Sequence, residues 1–198
     1  MEVNEIIKNK YPDRETAEKL LDDALAANPG RWGDHSRVAA FCAEKIAAAC
    51  GMNSEKAYIL GLLHDIGRKF LVRDLGHIYN GYKYMTELGY DDVARVCLTH
   101  SFPPHDLNSY IGQLDIPERE VEEVRTLLGQ IEFDDYDRLI QLCDALASAD
   151  GVVDVEERMA DVRRRYGNYP QVQWDKNLEL LGYFSRKAGK SVYEICGR

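Results

Sequence analysis

The segment from Tyr58 to Ile66, with the sequence Y-I-L-G-L-L-H-D-I, is apolar on nearly every face of a helix. A helix of this kind is stable only when other elements cover it on all sides. The flanking sequence must therefore supply a shell of further elements around it. The same segment ends in a histidine and an aspartate, His64 and Asp65, which are costly to bury unless something compensates for both.

The flanking sequence supplies helices. Residues 34–50, for example, place Val38, Cys42 and Ile46 on one stripe, and Gly51 ends the pattern. We find neither a persuasive two-residue alternation typical of strands nor an internal repeat. The sequence predicts an all-α fold in one domain over residues 1–198, with N-terminal and C-terminal helices packed on a central bundle. The predicted helices are at about 13–27, 34–50, 54–66, 77–88, 91–100, 117–130, 135–148, 152–166 and 170–187.

Composition narrows the class of protein. The chain has 198 residues, of which 45% are hydrophobic and 30% charged, as expected of a globular domain with a sizeable core. Its net charge of −9 argues against a nucleic-acid partner. The first ten residues lack the apolar stretch of a signal peptide, and no segment approaches a membrane span. Five cysteines without a C-x-x-C pair predict reduced thiols in a cytoplasmic protein.

Six ionisable side chains fall on the apolar faces of five predicted helices. Any one of these residues considered alone is more often a core residue with a hydrogen-bond partner. If all six were core residues of that kind, each would need a buried partner of its own. A shared divalent metal compensates all of them, and imidazole nitrogens with carboxylate oxygens suit iron, manganese, zinc or nickel. Neighbouring side chains on a helix diverge by about 100°, so His64 and Asp65 cannot chelate one ion in the same way. Such a pair suits one terminal ligand and one carboxylate that bridges two ions. The six residues are His35, His64, Asp65, His77, His100 and Asp144.

The order His35, His64-Asp65, Asp144 resembles the H…HD…D signature of the HD superfamily of metal-dependent hydrolases. The stretch H-D-I-G is the form of the second motif that names the HDIG subgroup. The segment from Gly76 to His100 resembles the two-histidine segment of the dinuclear branch, in which H-x-x-x-G opens a helix and the next helix ends in histidine. The resemblance covers about residues 30–148 and implies an HD-domain helical bundle with additional C-terminal helices.

The resemblance implies a role for each matching position. One metal would be held by His35, His64, Asp65 and Asp144, and Asp65 would bridge to a second ion completed by His77 and His100. The interval from His100 to Asp144 is longer than in compact dinuclear relatives, which leaves Asp150 as an alternative to Asp144. The implied activity is hydrolysis of a nucleotide or a related small phosphate ester by a hydroxide on one or two divalent ions (Fe, Mn, Ni or Zn).

Residues beside these motifs are candidates for substrate binding. Arg68 and Lys69 lie one turn past the His-Asp pair and can meet a phosphate, Arg68 in a catalytic role as well. They can equally be the cationic last turn of a helix. Asp34 is predicted to cap a helix N-terminus, and His105 is a candidate substrate-side group. The segment 101–115, rich in Pro, Asn and Ser, is the predicted lid over the site.

Two other functions share this sequence pattern. A diiron oxygenase of the same fold would use the same ligands, and a non-catalytic regulatory or binding module would keep the fold alone. A calcium loop at 146–157 is not expected, because its first position, which needs a carboxylate, is Leu146. A helix boundary with an acidic cap is the ordinary interpretation of this stretch. The last helix has four apolar residues that either cap the domain or form a dimer contact: Trp174, Leu178, Leu181 and Phe184.

Overall fold

The computed structural model describes residues 10–198, which are helical nearly throughout. This part of the chain also contains two 3₁₀ helices, Ile66–Phe70 and Leu107–Ser109, and one antiparallel hairpin, β1 (Ala147–Ser148) with β2 (Gly151–Val152). The α-helices in this range are α1 (Arg14–Ala27), α2 (Trp32–Ala49), α3 (Ser54–Leu63), α4 (Leu75–Leu88), α5 (Asp91–Thr99), α6 (Glu118–Gln130), α7 (Asp135–Leu146), α8 (Val155–Tyr166), α9 (Gln171–Ala188) and α10 (Val192–Ile195). The all-α prediction is confirmed.

The apolar helix α3 lies at the centre of the main core, as its sequence requires. Its side chains Ile59, Leu62 and Leu63 are completely buried. Helices α1, α2, α5 and α7 pack directly against it and form the shell. None of the helices in residues 10–198 is both long and apolar enough to cross a membrane.

A second, smaller hydrophobic cluster lies between α4, α5 and α6. Ile78 of α4, Leu98 of α5 and Val124 of α6 are buried in it, together with Phe102 and Leu107 from the connection after α5. The segment 101–131 is therefore anchored by its own apolar contacts. These contacts hold it beside the C-terminal end of α5, where His100 lies.

The predicted helix 54–66 stops earlier than its periodicity indicated. Helix α3 ends at Leu63, and His64 and Asp65 form the junction with the 3₁₀ helix Ile66–Phe70. Two main chains approach closely in this 3₁₀ helix at Gly67, where an added Cβ would lie 1.9 Å from the carbonyl oxygen of His77. The short turn after Asp65 thus packs directly on the backbone of α4, and a residue larger than glycine does not fit there.

Several helix starts differ from the prediction by one to three residues, the largest difference being at α8, which begins at Val155 instead of about 152 because the hairpin precedes it. Helix α2 begins at Trp32, so Asp34 lies in its first turn instead of at the N-cap, where the prediction placed it. Helix α3 is capped by Asn53, whose side chain accepts a hydrogen bond of 3.0 Å from the Lys56 amide. A carboxylate in a first turn still interacts favourably with the positive end of the helix.

Helix α9, the long helix before the short C-terminal α10, packs on the main core. Phe184 is completely buried, and Trp174, Leu178 and Leu181 are partly buried against the same cluster. The sequence left open whether these four residues cap the domain or form a dimer contact. Their packing on the main core accounts for their apolar character without a second chain.

Two glycines provide a matched test of this packing. We expect Gly67→Ala to lower the free energy of unfolding by about 3 kcal/mol or more, because backbone atoms on both sides cannot yield to the new methyl group. Gly129→Ala in α6 has no atom within 4 Å of the new Cβ. This second change should leave stability unchanged or raise it by up to about 1 kcal/mol through helix propensity. Chemical denaturation followed by circular dichroism measures both, and equal stabilities for the two variants would contradict the close approach.

Candidate metal centre

Candidate ligand atoms gather in two groups that share Asp65. The first group is His35, His64 and Asp65, and the second is Asp65, His77 and His100. Within each group the ligand atoms lie within 4.8 Å of one another, and every residue is buried. In the second group, Oδ1 of Asp65 is 3.0 Å from Nε2 of His77 and 3.6 Å from Nε2 of His100.

Asp144 joins the first group from helix α7. Its Oδ1 lies 3.0 Å from Nε2 of His35 and 3.8 Å from Nε2 of His64. Asp150, the alternative from the sequence, has an 80% exposed side chain in an ion pair with Arg31. The structure therefore brings together all six predicted ligands and leaves Asp150 outside the centre.

All four imidazoles of the centre are oriented by the main chain. Each places its Nδ1 against a backbone carbonyl, which acts as the acceptor and keeps the proton on that nitrogen. The opposite nitrogen, Nε2, then presents a lone pair to the centre. The Nδ1–oxygen distances are 3.2 Å for His35 to Ala147, 2.7 Å for His64 to Gly61, 2.6 Å for His77 to Arg73 and 2.9 Å for His100 to Cys97.

The Nε2 atom of His64 identifies a place for a cation. It is fully buried and has no hydrogen-bond partner within residues 10–198. A buried polar atom without a partner costs about 1–3 kcal/mol. Hydrogen bonding within the core therefore does not account for His64, whereas a metal ion would use this lone pair.

Protonation states also fit a metal centre. Burial lowers the pKa of His64, and it lowers the pKa of His100 to about 3, where the nearby His64 adds to the effect. Both imidazoles are therefore neutral at neutral pH, which is the form that binds metals.

The two carboxylates of the centre are ionised. Burial alone would raise the pKa of Asp65, but the positive charge of Arg68 is the main influence that outweighs it and holds the pKa well below its usual range. For Asp144, burial also acts to raise the pKa, and the close contact with His35 outweighs it. Two anionic carboxylates among neutral imidazoles make a donor set that suits divalent transition metals.

The two neighbouring cations of the 3₁₀ helix point in different directions. Arg68 donates from Nε to Oδ2 of Asp65 at 2.6 Å and from Nη1 to the Arg73 carbonyl at 3.2 Å. It also lines the cavity beside the centre. Lys69 does not line that cavity, since its Nζ lies 3.9 Å from the centre of the Tyr84 ring. The structure thus brings Arg68 to the site and leaves Lys69 outside it.

A cavity of about 190 Å³ adjoins the centre, with His77, His100 and Asp144 in its wall. The predicted lid segment contributes Ser101, Pro103, Tyr110, Ile111 and Gly112. His105, the candidate substrate-side group, lies elsewhere, with its Nε2 2.6 Å from the Leu128 carbonyl and its ring stacked on Phe133.

Much of the remaining cavity wall comes from helices α8 and α9 and the connection between them, which the sequence did not link to the site. The residues are Arg158, Met159, Val162, Arg165 and Tyr166 of α8, Tyr169 of the connection, and Gln173 and Asn177 of α9. A signal was present in the sequence, because Arg158, Val162 and Arg165 recur with the spacing of one helix face. Nothing in that spacing indicated which other part of the molecule the face meets.

Two glutamines of the cavity wall are buried and only half satisfied. Gln141 donates from Nε2 to the Thr99 carbonyl at 3.1 Å, and Gln173 donates to the Ser101 carbonyl at 3.3 Å. The Oε1 atom of each has no partner within residues 10–198. The two amides fix the main chain on either side of His100, which helps to place that ligand.

Comparison with known proteins supports the geometry. A family model described as HD domain matches residues 32–149, which include all six candidate ligands. No curated protein and no solved structure matches the chain at a significant level. Helices α8 and α9 lie outside the matched region.

Metal content tests the centre directly. After loading with manganese and desalting, we expect about one to two ions per chain by elemental analysis. Asp65→Ala should lose most of this metal because both groups contain Asp65, whereas His77→Ala should lose only the ion of the second group. His105→Ala is the matched histidine control and should retain the wild-type content. Wild-type metal content in Asp65→Ala would show that the two groups do not share this carboxylate as a ligand.

Proposed function

We propose that this chain, which belongs to the HD domain family, is a metal-dependent phosphohydrolase acting on a nucleotide or a related small phosphate ester. The observation that carries the proposal is the cavity beside the centre, whose wall holds four arginines, Arg68, Arg73, Arg158 and Arg165, against two carboxylates, Asp74 and Asp144. Guanidinium groups bind phosphoryl oxygens through paired hydrogen bonds. An arginine-rich cavity in a chain of net charge −9 favours an anionic small molecule as the ligand.

The residues that would hold the metals are the two groups sharing Asp65, with Asp144 added to the first. Divalent ions there, of iron, manganese, nickel or zinc, would supply a water of lowered pKa and positive charge next to the phosphoryl oxygens. No serine or cysteine nucleophile is then required.

Arg68 has two tasks in this proposal. Through Nε it holds Oδ2 of Asp65, and this orients the carboxylate so that Oδ1 faces His77 and His100. Its Nη2 is not engaged in a hydrogen bond within residues 10–198 and is available to a phosphoryl oxygen. A group that orients a ligand and also contacts the substrate contributes to both metal binding and turnover.

The two alternatives differ from this proposal in what they consume. A diiron oxygenase would use the same ligands and would consume oxygen, and a regulatory module would bind an anion without turnover. We favour hydrolysis because Arg68 lines the cavity and contacts Asp65 of the metal centre, so that a guanidinium group lies next to the ions that would activate water. We also propose that the protein works in the cytoplasm, in line with its five free cysteines, and without a nucleic-acid or membrane partner.

Phosphate release is the primary test. A screen of mononucleotides, dinucleotides, cyclic nucleotides and sugar phosphates with added manganese or ferrous ion should reveal metal-dependent hydrolysis, which Asp65→Ala abolishes with its fold retained. The product is phosphate from a monoester and a nucleoside monophosphate from a cyclic nucleotide or a dinucleotide. Oxygen consumption without phosphate release would instead support the oxygenase. Tight binding without either product would support the regulatory module.

Arg68 and Lys69 form a matched pair of neighbouring cations. We expect Arg68→Gln to lower kcat/KM by about 10- to 100-fold, because a charge-assisted hydrogen bond is worth about 1.5–3 kcal/mol. Lys69→Gln should leave kcat/KM nearly unchanged, since Lys69 lies over Tyr84 outside the cavity. Equal losses in both variants would indicate that only the overall charge of this turn matters.

A further inference from the structure

Helix α8 presents a surplus of positive charge to the cavity. Arg158 and Arg165 line it, and the carboxylate of Asp161 is shared by three guanidinium groups. Its distances are 3.8 Å to Arg158, 3.0 Å to Arg164 and 2.9 Å to Arg165. Of these three, only Arg158 and Arg165 line the cavity, and the single carboxylate that they share with Arg164 cannot neutralise both, so this face of α8 retains positive charge.

The hydroxyl of Tyr169 completes this part of the wall. Its oxygen accepts a hydrogen bond of 2.9 Å from Nδ2 of Asn177, so its own proton can be directed to a ligand. Burial is the main cause of a raised pKa at Tyr169, the Asp144 carboxylate adds to it, and Arg158 partly opposes it. The phenol therefore stays protonated and lies within electrostatic reach of both the metal centre and α8.

The cationic wall has two separate parts. Arg68 stands beside the metal centre on the 3₁₀ helix, where the reacting phosphoryl group would lie. Arg158 and Arg165 belong to α8, which lies outside the region that matches the HD domain model. A substrate with one phosphate would use Arg68 and bring no anion to Arg158 and Arg165, whose charge Asp161 offsets only in part.

We propose that Arg158, Arg165 and Tyr169 form a second anion subsite, the α8 subsite, which selects phosphate esters carrying a second anionic group. The inference rests on the proposed function and deepens it by naming the substrate class. The cavity of about 190 Å³ is small beside the roughly 300–1,000 Å³ of typical ligand pockets. This volume fits a compact phosphate ester that carries one further anionic group, either a phosphate or a carboxylate.

Binding of inorganic anions tests the α8 subsite without turnover. By titration calorimetry we expect the wild-type protein to bind pyrophosphate at least about tenfold more tightly than phosphate, as one added charge-assisted contact implies. Arg158→Gln and Arg165→Gln should each weaken pyrophosphate binding by about tenfold and leave phosphate binding unchanged.

Arg164→Gln is the matched control for Arg165→Gln. Arg164 neighbours Arg165 and binds the same Asp161, but it does not line the cavity. It should retain wild-type affinity for both anions. Phosphoglycolate, titrated in parallel, distinguishes a second carboxylate from a second phosphate, because the subsite should favour whichever group its substrate carries.

Two results would overturn the α8 subsite. One is equal wild-type affinity for phosphate and pyrophosphate, with phosphoglycolate no tighter. The other is an equal loss of pyrophosphate affinity in Arg164→Gln and Arg165→Gln, which would indicate long-range charge alone. These failures are distinct from failure of the proposed function. A protein that prefers ligands with two anionic groups but hydrolyses no ester would retain the subsite and lose the hydrolase assignment. Hydrolysis of monophosphates without that preference would retain the hydrolase assignment and remove the subsite.

Discussion

The buried carboxylate of Asp65 is the point on which the arrangement of the site depends. Its two oxygens are divided between different partners, Oδ2 with Arg68 and Oδ1 with His77 and His100. A carboxylate buried at this depth stays ionised only because positive and polar groups surround it. The same charge faces the imidazoles of His77 and His100, while the Asp144 carboxylate faces those of His35 and His64.

The backbone makes this carboxylate available. Asp65 stands at the end of the most apolar helix, and the contact of Gly67 with the main chain of α4 turns the chain immediately afterwards. In this turn Arg68 follows Gly67, and its side chain donates a hydrogen bond to Oδ2 of Asp65. The same short turn therefore packs against the backbone of α4 and orients the carboxylate of Asp65.

The sequence predicted the parts of this structure that periodicity encodes. Helix spacing gave the all-α class and most helix bounds, and the apolar faces indicated that six ionisable residues converge. Three features were beyond it: the end of α3 at Leu63, the direction of Lys69 and the contribution of α8 to the cavity. Each depends on which surfaces meet after the helices pack. The spacing of Arg158 and Arg165 defined a face of α8, but only tertiary contacts determine what that face meets.

The anchoring of the four imidazoles has a consequence for how the site tolerates change over evolution. Each Nδ1 is held by a peptide carbonyl, which every amino acid carries, so replacing the side chains of Arg73, Cys97 or Ala147 removes none of these acceptors. Asp65, in contrast, is steadied by the side chain of Arg68, which a single codon change deletes. The orientation of the imidazole rings therefore tolerates point mutation, whereas the orientation of the Asp65 carboxylate depends on one replaceable side chain. We expect a lineage that loses activity to lose Arg68 first and to keep the four histidines in their present orientation.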